Sequence, residues 1–497
     1  MCKDNETILI HNKKNKTYYS FVTFVMMKLV NLFLGVAILA SLLFSNSACK
    51  KKNLFGDGNL NFSTDTLIFD TVFTTIGSTT KYFKIYNPQN KALKITDVQL
   101  MGGSNSPFKL NLDGLQGTSF SDLEIEKGDS LFCFVEVKLS VNGQNLPLIV
   151  EDSVRFRTNG EDQYVKLAVW GQDMYYHYSD FSIPNGLGLN LNEGTWPNDK
   201  PHVIFNRAFV DSAKTLNIIE GTKIHLHKGA ILWNYKGTLN IDGAYNNKVI
   251  IQGDRLEGSY QDVPGQYYGI YLQEARPSII NNAVIKNSIA GIHVDSRDAA
   301  FNQNTLTISN TEIFNAASYG LFLFNGPKVY GENVLVHSTG VHSLLVIQGA
   351  DFTFNQCNFL GYGSGEGSTP AVGISNHYTN SQGTTMVAQI PNANFNNCVI
   401  YGSTGEHLAI DTIQTGGLTL NFHFRNSVVL KTDLSNGMFT YCSNGNPLFT
   451  NPNSNNFKFT SSASSLSNNA NQTYSTAQDI SGQGRNSPPD IGVYDIP

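Results

Sequence analysis

A short pattern returns six times between residues 279 and 431, and few folds accommodate it. The copies are IINNAVIKN (279–287), TISNTEIFN (307–315), VYGENVLVH (329–337), FTFNQCNFLG (352–361), NFNNCVIYG (394–402) and HFRNSVVLK (423–431). Aligned, they put Ala283, Thr311, Asn333, Cys357, Cys398 and Ser427 at one position, in steps of 28, 22, 24, 41 and 29 residues. A second apolar run follows most copies: GIHVD (291–295), GLFLF (320–324), SLLVI (343–347), AVGIS (371–375) and HLAID (407–411). One such unit is too small to bury its own apolar side chains. Stacked units share one core and satisfy each other's backbones.

Two or three short strands per unit predict a right-handed parallel β-helix over 216–450, with coils about 4.8 Å apart. Matching side chains then line up in ladders, which accounts for Asn, Ser, Thr and Cys recurring at one corner. The long steps predict loops at 254–268 and 361–392. An open end of such a helix is a bare sheet edge. Residues 174–215 are expected to link and cap the start, and 451–497 to cap the finish.

Residues 60–173 have a different texture. Period-two runs such as Thr66–Val72, Thr80–Tyr86, Leu93–Leu100, Ser130–Leu139, Ser153–Thr158 and Tyr164–Trp170 are separated by turn signals, among them Asn87-Pro88 and Asn159-Gly160. This predicts an antiparallel β-sandwich. The whole chain is therefore expected to be all-β, an immunoglobulin-like sandwich followed by the helix.

Charged residues make up only 15% of the chain, and net charge is −5 with no basic run in the body. A disordered polyelectrolyte is excluded and nucleic acid is not an expected partner.

Several stretches resemble known families. FDTVFTTIGSTTKYFKIYNPQNKALKIT (69–96) and SVRFRTNGEDQYVKLAVWGQ (153–172) are similar to the first strands and last hairpin of hydin-like immunoglobulin domains. The repeat, with LNIIEGTKIHLHKGAILWNYKGTLNIDG (216–243) before it and PPDIGVYDIP (488–497) after it, resembles the pectin-lyase-like superfamily. That superfamily includes many Bacteroidetes lipoproteins.

The N-terminus fits this setting. Leu29–Ser45 is almost wholly apolar, follows Lys28, and leads through Ser45, Asn46, Ser47 and Ala48 to Cys49. This resembles the bacterial lipoprotein signal, with Asn46 in place of the usual Leu. The resemblance implies cleavage after 48, acylation of Cys49 and anchoring in the outer membrane on its periplasmic or surface side. Residues 49–59 then form a tether, whose Lys50, Lys51 and Lys52 lie beside the lipid. A signal starting at Met26 or Met27 has normal length, so residues 1–26 are read as an over-called start.

The pectin-lyase-like enzymes carry motifs that can be sought directly. Polygalacturonase-like hydrolysis needs paired acids, and the chain has no adjacent Asp pair. Pectate-lyase-like elimination needs Ca²⁺-binding acids and a base. The Trp-Ile-Asp-His of those lyases is missing, and Arg276-Pro277 lacks its second Arg. Asp351 in GADFTFN (349–355) comes near the pectinesterase motif without its partners.

A sugar site uses carboxylates for hydroxyls and rings for stacking. The residues of that kind that crowd together are Asp254, Arg255, Glu257, Tyr260, Asp262, Tyr267 and Tyr268 in one loop, and Asp295, Arg297 and Asp298 at the end of a coil; the plainer readings are a solvated loop braced by an Arg–carboxylate pair and ordinary turn chemistry. Glu406, His407 and Asp411 share another coil, where turn chemistry is the plainer reading. His225 and His227 share a strand face without a nearby third ligand, so no metal is expected. Cys357 and Cys398 are expected to stack as a buried thiol pair.

The sequence thus favours a non-catalytic, lipid-anchored envelope protein that binds a glycan or serves as structure. The alternative is a polysaccharide lyase or glycoside hydrolase with an unrecognised site. No cofactor is expected, with Ca²⁺ entering only under the lyase alternative.

Overall fold

The structure, a computed structural model, describes residues 55–141, 143, 148–178, 181–183, 186–190, 193–295, 303–363, 369–403 and 405–496. Cys49 and the leader lie outside these residues.

Residues 61–172 form two five-stranded sheets. One runs Asn61–Phe62, Lys81–Tyr86, Ser130–Val137, Phe108–Leu112, Leu115–Gly117 and is antiparallel throughout. The other runs Thr66–Phe73, Glu161–Gln172, Leu148–Thr158, Leu93–Leu100, Ser119–Ile125, with only its first pair parallel. Alternation assigns the faces. In KYFKIY, Phe83 and Ile85 point inward while Tyr82, Lys84 and Tyr86 point out. Phe69, Phe108, Val135, Phe156 and Val165 complete the core between the sheets.

From Tyr175 onward the chain winds as a parallel β-helix. Three walls of ten strands each enclose one apolar core. A typical coil contributes Ala290–Asp295 to the first wall, Leu306–Ser309 to the second and Glu312–Phe314 to the third. All neighbours pair in parallel except Phe181–Ile183, which meets Gly186–Asn190 antiparallel. Inside the second wall a phenylalanine column runs through Phe354, Phe395, Phe424 and Phe439, with ring centroids 5.8, 4.9 and 5.0 Å apart.

The turn between second and third walls sets the register. Asn282, Asn310, Asn333, Gln356, Asn397 and Asn426 all have φ between 47° and 56°. Asn tolerates this left-handed conformation better than other non-glycine residues. The residue after each forms the next column: Ala283, Thr311, Val334, Cys357, Cys398, Ser427. Five of the six positions aligned from sequence are thus correct. Asn333 is not, because it occupies the left-handed turn and leaves the column to Val334. Cys357 and Cys398 are adjacent in that column, buried and unlinked. Their Sγ atoms donate to the carbonyls of Asn355 (3.2 Å) and Phe354 (3.3 Å).

Two boundaries differ from expectation. Residues 175–215 do not merely cap the start. Tyr175–His177, Gly194–Trp196 and His202–Ile204 pair in parallel with the next coils and belong to the walls themselves. The C-terminal segment does not sit on the far end. It runs back along the outside of the third wall, where Phe457, Phe459, Leu466, Ile480, Ile491 and Val493 cover Leu335, Leu360, Val399 and Val428. Those outward apolar side chains demand a cover, and the strap supplies it. The strap also grips the turn ladder: Asn333 Nδ2 donates to Gln478 O (2.9 Å), and Asn397 Oδ1 accepts from Asn471 N (2.8 Å).

Sandwich and helix meet through Phe73, Val203 and Phe205, packed with Ile76, Met174 and Leu256. Thr79 Oγ1 donates to Glu257 Oε1 across the junction at 2.9 Å.

Three imidazoles in the helix are held neutral by burial. His177 falls to about 3, and His225 and His293 to about 4. In the unfolded chain they titrate near about 6.5. Between those values the unfolded state takes up protons that the folded state refuses, so stability falls as pH falls. Each group is expected to cost roughly 2 kcal/mol by about pH 5. Urea unfolding at neutral pH and at pH 5 measures this; an unchanged midpoint contradicts it.

Candidate functional site

The loop that begins at Asp254 is occupied in bracing the two domains. Asp254 Oδ2 lies 2.6 Å from His227 Nδ1, and this carboxylate raises the imidazole's affinity for a proton. Arg255 Nε donates to both oxygens of Glu257 at 3.0 and 3.1 Å, and its guanidinium lies 3.7 Å from the Tyr260 ring centre. With Phe73, Ile76 and Lys81 of the sandwich, Asp254 and Glu257 line a crevice of about 260 Å³. Asp262 is exposed.

Tyr267 and Tyr268 part company just before the strand Gly269–Gln273, where Gly269 at φ 142° breaks the alternation. Tyr267 points inward, is fully buried, and donates to Ile251 O at 3.3 Å. It is a core residue and has no face to offer a sugar. Tyr268 points outward, with its hydroxyl 2.8 Å from His293 Nδ1. Asp295 belongs to the same outer surface, where its Oδ2 accepts from Tyr271 at 3.0 Å. Arg297 and Asp298 lie outside the described residues.

The structure therefore separates the two groups of candidates and assembles a site that neither contains alone. On the outside of the first wall, register places Phe209, Trp233, Tyr271, His293 and Phe322 in one column over successive coils. Their ring centroids are 5.8, 5.9, 4.6 and 4.4 Å apart, and the last three pairs are within 25° of parallel. Rings stacked along the helix axis turn their faces to one another and their edges outward. This flank accordingly presents hydroxyl, imidazole and carboxylate groups set between ring edges. Two buried nitrogens on it, Trp233 Nε1 and His293 Nε2, have no hydrogen-bond partner. Burial, together with Asp295, raises the Tyr271 hydroxyl's pKa, and its one proton is donated to Asp295.

The sequence reading missed Tyr271, His293 and Phe322. They occupy the same offset in GIYL, GIHV and GLFL, and that parity was the available signal. The outside of the second wall is a polar ladder that was also missed. Asn281 donates to Asp242 (2.9 Å), Tyr330 to Glu332 (2.9 Å), Asn396 to Asn355 (2.9 Å), and Arg425 to Asn394 and Asn396 (3.2 and 3.1 Å).

Among the described residues no three His, Cys, Asp or Glu side chains converge as a metal site. His407 packs in the interior end of its coil, and Asp411 pairs with His377 at 3.2 Å, so the 406–411 group does not converge either.

Residues 198–359 match the family described as right handed beta helix region. The winding of the coils is thus right-handed. No curated protein matches the chain. Among solved structures, the Agl-KA catalytic domain is 10% identical, with 70% of this chain and 78% of that one aligned at a TM-score of 0.23. A thermostable alpha-1,3-glucanase from Streptomyces thermodiastaticus is also 10% identical, covering 69% and 74% at a TM-score of 0.22. A family 123 glycoside hydrolase from Clostridium perfringens is 9% identical over 24% of this chain, at a TM-score of 0.17. The aligned part spans only 30% of that hydrolase. These structures are too distant to carry an activity across.

Proposed function

We propose that this is a lipid-anchored protein of the bacterial outer membrane whose β-helix binds an extended polysaccharide without cleaving it. Cys49 carries the acyl chains, and the hydin-like sandwich stands between membrane and helix. The observation that supports binding is the outer flank of the first wall. Its Tyr268–His293 and Tyr271–Asp295 pairs bridge two neighbouring coils, whose spacing is about 4.8 Å. A sugar unit in an extended chain has a similar length, so hydroxyls arrive in step with the coils. Direct hydrogen bonds, rather than stacking on ring faces, then give the affinity. The candidate carboxylates Asp254 and Asp295 lie in separate hydrogen-bond networks, one at the domain junction and one on the flank. That arrangement favours binding over acid–base cleavage, which needs two groups across one bond.

Affinity electrophoresis against neutral and acidic polysaccharides tests the reading, with reducing ends and unsaturated products assayed in parallel. Tyr271→Ala and Asp295→Ala are each expected to weaken retention about tenfold. Retention unchanged in both variants, or product released by the wild type, overturns it.

A further inference from the structure

The outer face of the first sandwich sheet carries a groove of about 630 Å³, within the usual range for small-ligand sites. Phe134 is the exposed ring that lines one wall, and Tyr82 and Phe132 pack beside Phe134 outside the lining. Tyr82, Phe132 and Phe134 form a triangle with ring centroids 5.5, 5.8 and 5.9 Å apart. Tyr82 is 53% and Phe134 36% exposed, although an outward sheet position ordinarily carries a polar residue.

The other wall is polar and comes from the next two strands. Register sets Asn111 beside Phe134, Lys109 beside Glu136, and Gln116 beside Asn111. Asn111 Oδ1 accepts from Gly114 N at 2.9 Å, which fixes the amide and directs its NH₂ elsewhere. Lys109, Gln116 and Glu136 have no hydrogen-bond or ion-pair partner among the described residues. The domain junction uses Phe73, Ile76 and Thr79 and leaves this groove uncovered.

An exposed ring on one side, with the fixed amide of Asn111 and the free amide of Gln116 on the other, matches a ligand that has apolar C–H faces and a rim of hydroxyls. Lys109 and Glu136 offset each other, so the groove has no net charge to attract a uronic acid or a phosphate.

We propose that the sandwich is itself a binding module, taking a short stretch of neutral glycan against Phe134, with Asn111 and Gln116 on its hydroxyls. This site shares a ligand class with the first-wall flank but none of its residues, so either can fail alone.

The test uses the full chain and calorimetric titration with neutral hexasaccharides (cello-, laminari-, malto-, xylo- and manno-oligosaccharides), alongside an oligogalacturonate. At least one neutral hexasaccharide is expected to bind, and Phe134→Ala and Asn111→Ala are each expected to weaken it about tenfold. Tyr271→Ala, on the helix flank, leaves this binding unchanged. Phe134 is partly exposed, so its variant should keep the wild-type unfolding midpoint; Gln116→Ala serves as a second probe should it not. The proposal is overturned by no binding of any neutral hexasaccharide, by binding of the acidic one alone, or by binding that Phe134→Ala and Asn111→Ala leave intact. Loss only in Tyr271→Ala places the ligand on the helix and removes the sandwich site.

Discussion

Arg485→Met is expected to destabilise the protein by about 3–5 kcal/mol, the usual cost of leaving one half of a buried ion pair. The Arg485 and Asp495 side chains are 2% and 1% exposed, 3.7 Å apart. The guanidinium also donates to Thr476 Oγ1 (3.1 Å), Gly492 O (2.8 Å) and Asn333 Oδ1 (2.8 Å). It therefore fastens the strap to itself and to the turn ladder at once. Arg485→Lys keeps the charge but not the planar fork, and an intermediate loss is expected. Urea unfolding measures the loss, and limited proteolysis locates it, with new cleavage between 460 and 484 in the Met variant. A loss below about 1 kcal/mol would mean that this charge does not hold the strap.

Phe395→Ala is expected to cost a further about 3–5 kcal/mol, by a different cause. Phe395 is fully buried, and its ring meets those of Phe352, Phe354, Phe359 and Phe424 at 4.9–6.0 Å. Truncation leaves a cavity that stacked rings on adjacent coils are held too rigidly to fill. Phe395→Leu should recover more than half of the loss. Equilibrium unfolding decides it; a shift in Phe395→Ala no larger than for an exposed Phe→Ala would show the column to be loosely packed.

How much of this was legible depended on periodicity. The repeat announced the coils because each copy must return the same apolar residues to one core. The thiol pair followed from it. The Asn at the turn was visible as a letter, but its left-handed backbone was not, and that conformation decides between Asn333 and Val334. Tyr267 and Tyr268 show the same sensitivity: they are neighbours in sequence, yet the backbone ahead of Gly269 sends one to the core and the other to the flank. Tyr271, His293 and Phe322 were within reach, since outward parity along GIYL, GIHV and GLFL is fixed once the inward Ile and Leu are placed. The loop at 254–262 offered a site or a loop braced by an Arg–carboxylate pair, and the Arg255–Glu257 pair is present. The loop's partners Thr79 and Phe73 lie in the other domain, far away in sequence, and only the fold brings them near. The strap had no periodic signal. Its apolar residues are scattered through Asn- and Ser-rich chain, and what they cover is a column of outward Leu and Val that the repeat alone did not reveal.

That strap has a consequence for how the molecule matures. Leu335, Leu360, Val399 and Val428 are synthesised well before Ile480, Ile491 and Val493, which cover them. A growing chain therefore stacks most of its coils with a greasy seam still open along one side. The seam closes only when residues 457–493 arrive. A solenoid of independent coils tolerates early termination one rung at a time. This one is expected not to: a chain that stops before residue 457 leaves Leu335, Leu360, Val399 and Val428 bare, an exposed apolar surface of the kind that aggregates.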